Sequence, residues 1–175
     1  FAAGGKSLPM PDNKPPGVTL SIDIANQFLT LATQSGDIIA RYPVSTGLNG
    51  PGQADGSGCT PVGKHYIRAR IGAGQPLNTV YRGRRPTGEI YSQSLAAANP
   101  GRDWILTRIL WLCGCEWGRN RGPGVDTFRR FIYIHGTPDS EPMGVARSHG
   151  CIRMRNTDIV ELFDRVPAGT PVSIY

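Results

Sequence analysis

Glycine and proline punctuate this chain more than anything else does, supplying 23 and 15 of its 175 residues. Helix interiors tolerate neither residue well, because glycine is too free and proline lacks an N–H donor. A helical bundle or coiled coil is therefore excluded. Apolar residues make up 39% of the chain and charged residues 18%, enough to build a core and too few charges for wholesale disorder. The composition predicts one loop-rich, mainly β domain. Lysine and arginine number 19 against 13 acidic residues, a net charge of +6 that favours an anionic partner.

Alternating residues locate the strands. Val18, Leu20, Ile22 and Ile24 interleave with Thr19, Ser21 and Asp23, the period of a half-buried strand. Phe28–Thr33 and Asp37–Val44 follow across short polar turns and predict an antiparallel meander. Gly47–Gly58 reads as a loop, Lys64–Ile71 as a strand, and Gly72–Asp103 as a long excursion with a short helix near Ser92–Ala98. Ile105–Leu112 and Arg129–His135 are two further strand candidates. Asn156 is placed to cap a helix whose apolar face is Ile159, Val160, Leu162, Phe163 and Val166, and Thr170–Tyr175 closes the chain as a strand. The proline-rich stretch Phe1–Gly17 reads as a flexible lead-in to a domain over residues 18–175. The longest apolar run, from Ile105 to Cys113, is broken by Thr107 and Arg108 and is too short to span a membrane. A start at Phe1 suits a processed or trimmed chain, and removal of an export signal or deliberate trimming would each leave such a start.

Chemistry concentrates between Arg129 and Asn156. His135 ends an apolar alternation, a rigid place from which to aim an imidazole. A twelve-residue stretch rich in glycine, proline and polar types then returns to Ser148-His149-Gly150-Cys151. A cysteine acts as nucleophile only as thiolate, and an adjacent imidazole is the common device for generating one. Glycine before the cysteine lets a carbonyl approach the backbone and turns N–H groups toward it, as a tetrahedral oxyanion requires. Together these residues predict acyl transfer through a thioester.

The His135-Gly136 pair followed by Ser148-His149-Gly150-Cys151 resembles the signature of the L,D-transpeptidase family, whose catalytic domain is called YkuD-like. Ile152-Arg153-Met154 resembles the continuation common in Gram-negative members, and Thr60-Pro61-Val62-Gly63 looks like the family's Thr-Pro-x-Gly turn. The resemblance runs over about residues 18 to 175 and implies a β-sandwich or mixed sheet with long loops and one or two short helices. It also implies the roles. Cys151 is the nucleophile, His135 its base, and the Gly136 carbonyl orients the imidazole. The amides of His149, Gly150 and Cys151 form an oxyanion hole, with Ser148 and the His149 ring supporting the turn. Arg153 is the candidate clamp for a substrate carboxylate.

By the same resemblance the donor is a peptidoglycan tetrapeptide stem that loses D-alanine. The acceptor is a second stem amine, a wall-attached lipoprotein, a free D-amino acid, or water, which would make the enzyme an L,D-carboxypeptidase; the alternative outcome of the same chemistry is a peptidase or amidase that trims stems or detaches wall-linked lipoprotein. Carbapenem-type inhibitors, no cofactor, and a place in the periplasm or envelope of a Gram-negative bacterium belong to that expectation. The stems bear carboxylates, which suits the arginines at 82, 84, 85, 119, 121, 129 and 130. The stretch Tyr81–Trp117 falls where the family carries a lid, and His65 reads as structural.

Two other classes compete. His135, His149 and Cys151 with Cys113-Gly114-Cys115 could supply zinc ligands, although no CxxC pair is present. A non-catalytic module could use the positive charge to bind wall polymer; for nucleic acid the arginines lack interleaved aromatics. The four cysteines at first suggest two disulfides. A catalytic Cys151 leaves three, of which Cys59 could pair with Cys113 or Cys115.

Overall fold

Alternation decides the first three strands, β1 (Val18–Asp23), β2 (Phe28–Thr33) and β3 (Ile38–Pro43). The computed structural model describes residues 17–175, so the lead-in read over Phe1–Gly17, its last residue apart, lies outside the described residues. In β1 and β2, Leu20 faces Leu31 and Ile22 faces Leu29 across an antiparallel ladder, and all four are buried. β3 continues the meander, with Tyr42 opposite Leu29. The chain's last strand, β10 (Pro171–Ile174), lies parallel to β1 and buries Val172 and Ile174 between exposed Pro171 and Ser173. Proline is tolerated there because it opens the strand.

From β10 the sheet passes antiparallel to β4 (Gly63–Ile71), then to β7 (Ile105–Gly114), then to β8 (Tyr133–Thr137), which pairs in parallel with β9 (Ile152–Arg155). The sheet curls until its two ends nearly meet. Just past β3, the Ser45 and Arg153 backbones exchange hydrogen bonds of 2.9 Å in both directions, which partly covers the free edge of β9. Inside the curl lies the main core, built from the meander, Ile134 of β8, Ile152 and Met154 of β9, and the apolar face of α2 (Asn156–Arg165). The pleat turns alternate residues of β8 and β9 the other way, so Tyr133, His135, Cys151 and Arg153 share the opposite face.

Three local expectations are corrected. The excursion after Gly72 contains a hairpin, β5 (Thr79–Arg82) and β6 (Arg85–Ile90), ahead of the expected helix, α1 (Gln93–Ala98). Its turn residues Gly83 and Arg84 have φ of 55° and 64°, the backbone of a two-residue hairpin turn, and β6 lacks apolar alternation because it is almost wholly exposed. The strand expected over Arg129–His135 begins only at Tyr133. The Asp126 carboxylate accepts the amides of Gly122 and Arg129, and the Arg130 amide donates to the Asp126 carbonyl, which rolls residues 126–131 into a turn. Finally, Asn156 does not cap α2. It is the helix's first residue, and its side chain is spent on the interior beneath the catalytic strand.

Candidate active site

His135 is buried at 2% exposure, and its Nδ1 lies 2.6 Å from the Gly136 carbonyl oxygen. That acceptor requires the proton on Nδ1 and leaves Nε2 as the basic nitrogen. The peptide is positioned from below. Opposite it, β7 carries a bulge at Thr107, a β-branched residue held at φ 73°. The Thr107 hydroxyl donates to Asn156 Oδ1 at 2.6 Å, and Asn156 Nδ2 donates to the Thr137 carbonyl at 2.9 Å. A Cβ at position 136 would stand 2.5 Å from Asn156 Oδ1 and 2.6 Å from the Leu106 carbonyl oxygen, so only glycine fits.

The turn before β9 is held with equal care. Gly150 has φ 122°, which glycine alone adopts without strain. Buried Ser148 bridges the turn, its hydroxyl donating to the Cys151 carbonyl while accepting the Gly150 N–H at 3.1 Å. The Gly150 amide expected in the oxyanion hole is therefore engaged with Ser148. The amides of His149 and Cys151 make no such bond among the described residues, either in the strand ladder or to a side chain. Thr60 closes the arrangement from outside, donating to the Gly150 carbonyl at 2.8 Å and accepting the Gly47 amide at 2.8 Å. The sequence flagged Thr60 through its turn motif but carried no sign of this contact.

The Cys151 thiol donates to the Phe131 carbonyl at 3.3 Å and accepts the Tyr133 amide at 3.3 Å. Burial pushes this thiol up to about 11, opposed by the Tyr133 hydrogen bond and the positive charges of Arg153 and Arg130. Burial also holds the His135 imidazole below its usual range, against the pull of the Gly136 carbonyl. The resting pair is thus thiol and neutral imidazole, not thiolate and imidazolium. Sequence reasoning did not find Phe131, whose φ of 56° is strained for an aromatic residue and aims its carbonyl at the thiol.

The His149 ring does not brace the turn; its side chain is 82% exposed, with Nδ1 3.9 Å from Asp103. Arg153 keeps its guanidinium 11% exposed, 3.4 Å from Asp103 and 3.6 Å from Glu141. These four residues line a cavity of about 160 Å³ beside the catalytic face, with Trp104 and Thr137. The β5–β6 turn folds over the same face. There Arg84 donates to the Tyr133 hydroxyl at 3.1 Å and lies 4.8 Å from the rings of Trp111 and Phe131. Tyr81 and Trp104 are buried; Trp117 is exposed and lies elsewhere on the sheet. His65 is buried between the Gly63 carbonyl and the Thr127 hydroxyl.

All four cysteines are free thiols, including Cys59, Cys113 and Cys115. Among the described residues, no three His, Cys, Asp or Glu side chains gather as metal ligands, so the candidate zinc set is not brought together.

His135 on β8 and Cys151, just before β9, lie on one face of the sheet. The family model for the L,D-transpeptidase catalytic domain, YkuD, matches residues 17–174, and the chain belongs to that family. A putative L,D-transpeptidase, YkuD, of Bacillus subtilis strain 168 is 36% identical over 89 residues, covering 51% of this chain and 44% of that protein. A probable L,D-transpeptidase, YbiS, of Escherichia coli K12 is 51% identical over 43 residues, or 25% of this chain and 14% of that protein. The alignments thus span less than half the length of these relatives. The fold is shared with L,D-transpeptidase 3 of Mycobacterium tuberculosis, solved with a faropenem-derived adduct, at TM-score 0.55 and 18% identity over 91% of this chain and 60% of that one. An LD transpeptidase solved in complex with imipenem aligns at TM-score 0.52 and 18% identity over 91% and 59% of the two chains.

Proposed function

We propose that this chain is a cysteine-dependent L,D-transpeptidase that acts on peptidoglycan tetrapeptide stems in the envelope of the bacterium that exports it. The observation that carries the reading is the His135–Gly136 contact. It leaves the imidazole Nε2 as the base on the face that also bears the Cys151 thiol.

The thiol leaves the Phe131 carbonyl by rotation about its Cα–Cβ bond and gives its proton to Nε2 of His135. The thiolate attacks the carbonyl carbon that precedes the terminal D-alanine. The oxyanion is held by the amides of His149 and Cys151, with the Gly150 amide supporting Ser148 instead. Collapse breaks the C–N bond. The departing D-alanine amine takes the proton from the imidazolium, and the stem remains as a thioester on Cys151. An acceptor amine then gives a proton to His135, attacks the thioester and releases the thiol. A second stem would yield a 3-3 cross-link, a lipoprotein amine an anchored protein, and water a trimmed stem.

Arg153 suits a substrate carboxylate. Its contacts of 3.4 and 3.6 Å are longer than charge-assisted bonds of about 2.7–2.9 Å, so Asp103 or Glu141 can give way to a ligand. Carbapenem-type acylation of Cys151 is proposed by likeness to the relative solved with imipenem. The test is intact mass after incubation with a carbapenem, alongside products from purified stem peptides. One adduct on the native chain, none on Cys151→Ala, and D-alanine release support the reading. No adduct, or an unchanged adduct in Cys151→Ala, overturns it.

A further inference from the structure

A cavity of about 390 Å³ lies away from Cys151, beyond the far end of β7. Trp117 forms one wall with 77% of its surface exposed. The indole rests on a backbone turn. The Gly118 amide donates to the Arg121 carbonyl at 2.8 Å, and the ring lies against Gly122, where an added Cβ would stand 3.3 Å from three indole carbons. Glycine at 122 lets the indole rest flat on the backbone. Tyr66 and Phe128 supply the other aromatic walls.

Around this platform stand Arg68, Arg121 and Arg129. None of the three has a carboxylate partner among the described residues, and Arg68 lies 5.9 Å from the centre of the Phe128 ring. The one acid in the lining, Asp126, spends its carboxylate on the amides of Gly122 and Arg129. Aromatic surface beside three guanidiniums without carboxylate partners fits a pyranose ring carrying nearby carboxylates.

The cavity also lies on the catalytic face. Tyr66 pairs with Cys113 across β4 and β7, and Trp111, two residues back on β7, pairs with Tyr133 of β8. Trp111 stacks on Phe128 with centroids 4.0 Å apart and meets Tyr133 edge-on at 5.7 Å. The Tyr133 amide in turn donates to Cys151. From β7 to β9 is two strand spacings, about 10 Å, plus a two-residue offset along the strand. The two displacements combine to about 12 Å from Cys113 at the near edge of the cavity; three extended peptide residues reach about 10 Å, and the link that joins them to the sugar covers the remainder.

We propose that the Trp117 cavity binds the amino-sugar end of a carboxylate-bearing wall fragment, so that the stem attached to it runs along the sheet face to Cys151. The site rests on the stem-peptide reading above and adds to it a glycan subsite.

The test uses the Cys151→Ala chain, which cannot turn over ligand, and two probes: a disaccharide–tetrapeptide and the same tetrapeptide without sugars. Calorimetry should show the sugar-bearing probe binding at least about tenfold tighter, roughly 1.4 kcal/mol. Trp117→Ala should abolish that advantage without weakening the bare peptide, and Trp117→Phe should keep part of it. Arg121→Gln with Arg129→Gln should weaken the sugar-bearing probe and flatten its salt dependence. Equal affinity for the two probes, or an advantage that survives Trp117→Ala, overturns the subsite. Carbapenem acylation of the Cys151-bearing chain should be the same with Trp117→Ala as without it. A failure to acylate at all counts against the catalytic reading and not against the subsite.

Discussion

The hydroxyl of Thr60 donates to the carbonyl of Gly150 at 2.8 Å, so the residue before Cys151 is held by one ninety positions earlier. Thr60 is fully buried and also receives the Gly47 amide, which joins the loop after β3 to the turn that carries Cys151.

Thr60→Val keeps the side chain's shape and removes both bonds. Two buried polar groups lose their partner, which should cost about 1–3 kcal/mol in denaturant unfolding. Displacement of the turn should slow carbapenem acylation by about tenfold to 100-fold. Thr60→Ser should recover most of both. A Val variant acylated at the native rate would show that the turn is held by other contacts.

Gly136→Ala tests the support beneath His135. The new methyl meets Asn156 Oδ1 and the Leu106 carbonyl well inside contact distance, on backbone and buried groups that cannot swing away. Overpacking of this kind should destabilise the chain by about 1–3 kcal/mol. The shifted carbonyl should also lose its hold on Nδ1, so acylation should fall more than stability alone explains. Unfolding curves and acylation rates measured on the same preparation separate the two effects.

The state of the nucleophile is visible in its pH dependence. With the thiol pushed up to about 11 and the imidazole held low, the resting pair is neutral at pH 7. Alkylation of Cys151 by iodoacetamide should therefore keep rising with pH through the alkaline range. A rate that levels off near neutrality would reveal a preformed thiolate–imidazolium pair. The same shift has a stability sign: above pH 9 the unfolded thiol ionises before the folded one, so stability should decline from there toward pH 11.

His65 governs the acid side. Burial lowers its imidazole to about 4, against the Gly63 hydrogen bond that favours the charged form. Between pH 6.5 and 4 the unfolded chain binds a proton that the folded chain refuses. Stability is thus complete above about 6.5 and falls with pH by about 1.4 kcal/mol per unit for this group. Buried His135 adds a second proton uptake of the same sign. His65→Gln should reduce the slope of unfolding free energy against pH by one proton, whatever it does to the absolute stability.

Much of the architecture was legible because it rests on short-range periodicity. Leu20, Ile22, Leu29 and Leu31 announce their strands by alternation, and Ile159, Leu162 and Phe163 announce a helix face. The β5–β6 hairpin was not legible, since Arg85–Ile90 is exposed on both faces and has nothing to alternate. Nor was the turn over residues 126–131, where one carboxylate capturing two amides outweighs the strand propensity of Phe131 and Ile132.

The site divides along the same line. The identities of Cys151, His135, Gly136 and Ser148, and the acyl-transfer chemistry they allow, could be read from the chain because a nucleophile, a base and a glycine turn are statements about residue type and spacing. Which nitrogen of His135 is left free, which amides near Cys151 are unengaged, and why residue 136 must be glycine were decided only by the fold. Each depends on a group distant in sequence, including Thr107 and Asn156 beneath the histidine and Thr60 behind the turn. The charge state of the thiol depends in the same way on how fully the surrounding strands desolvate it. Hydrogen bonds and desolvation act through space, and the spacing of residues along a chain does not encode those distances.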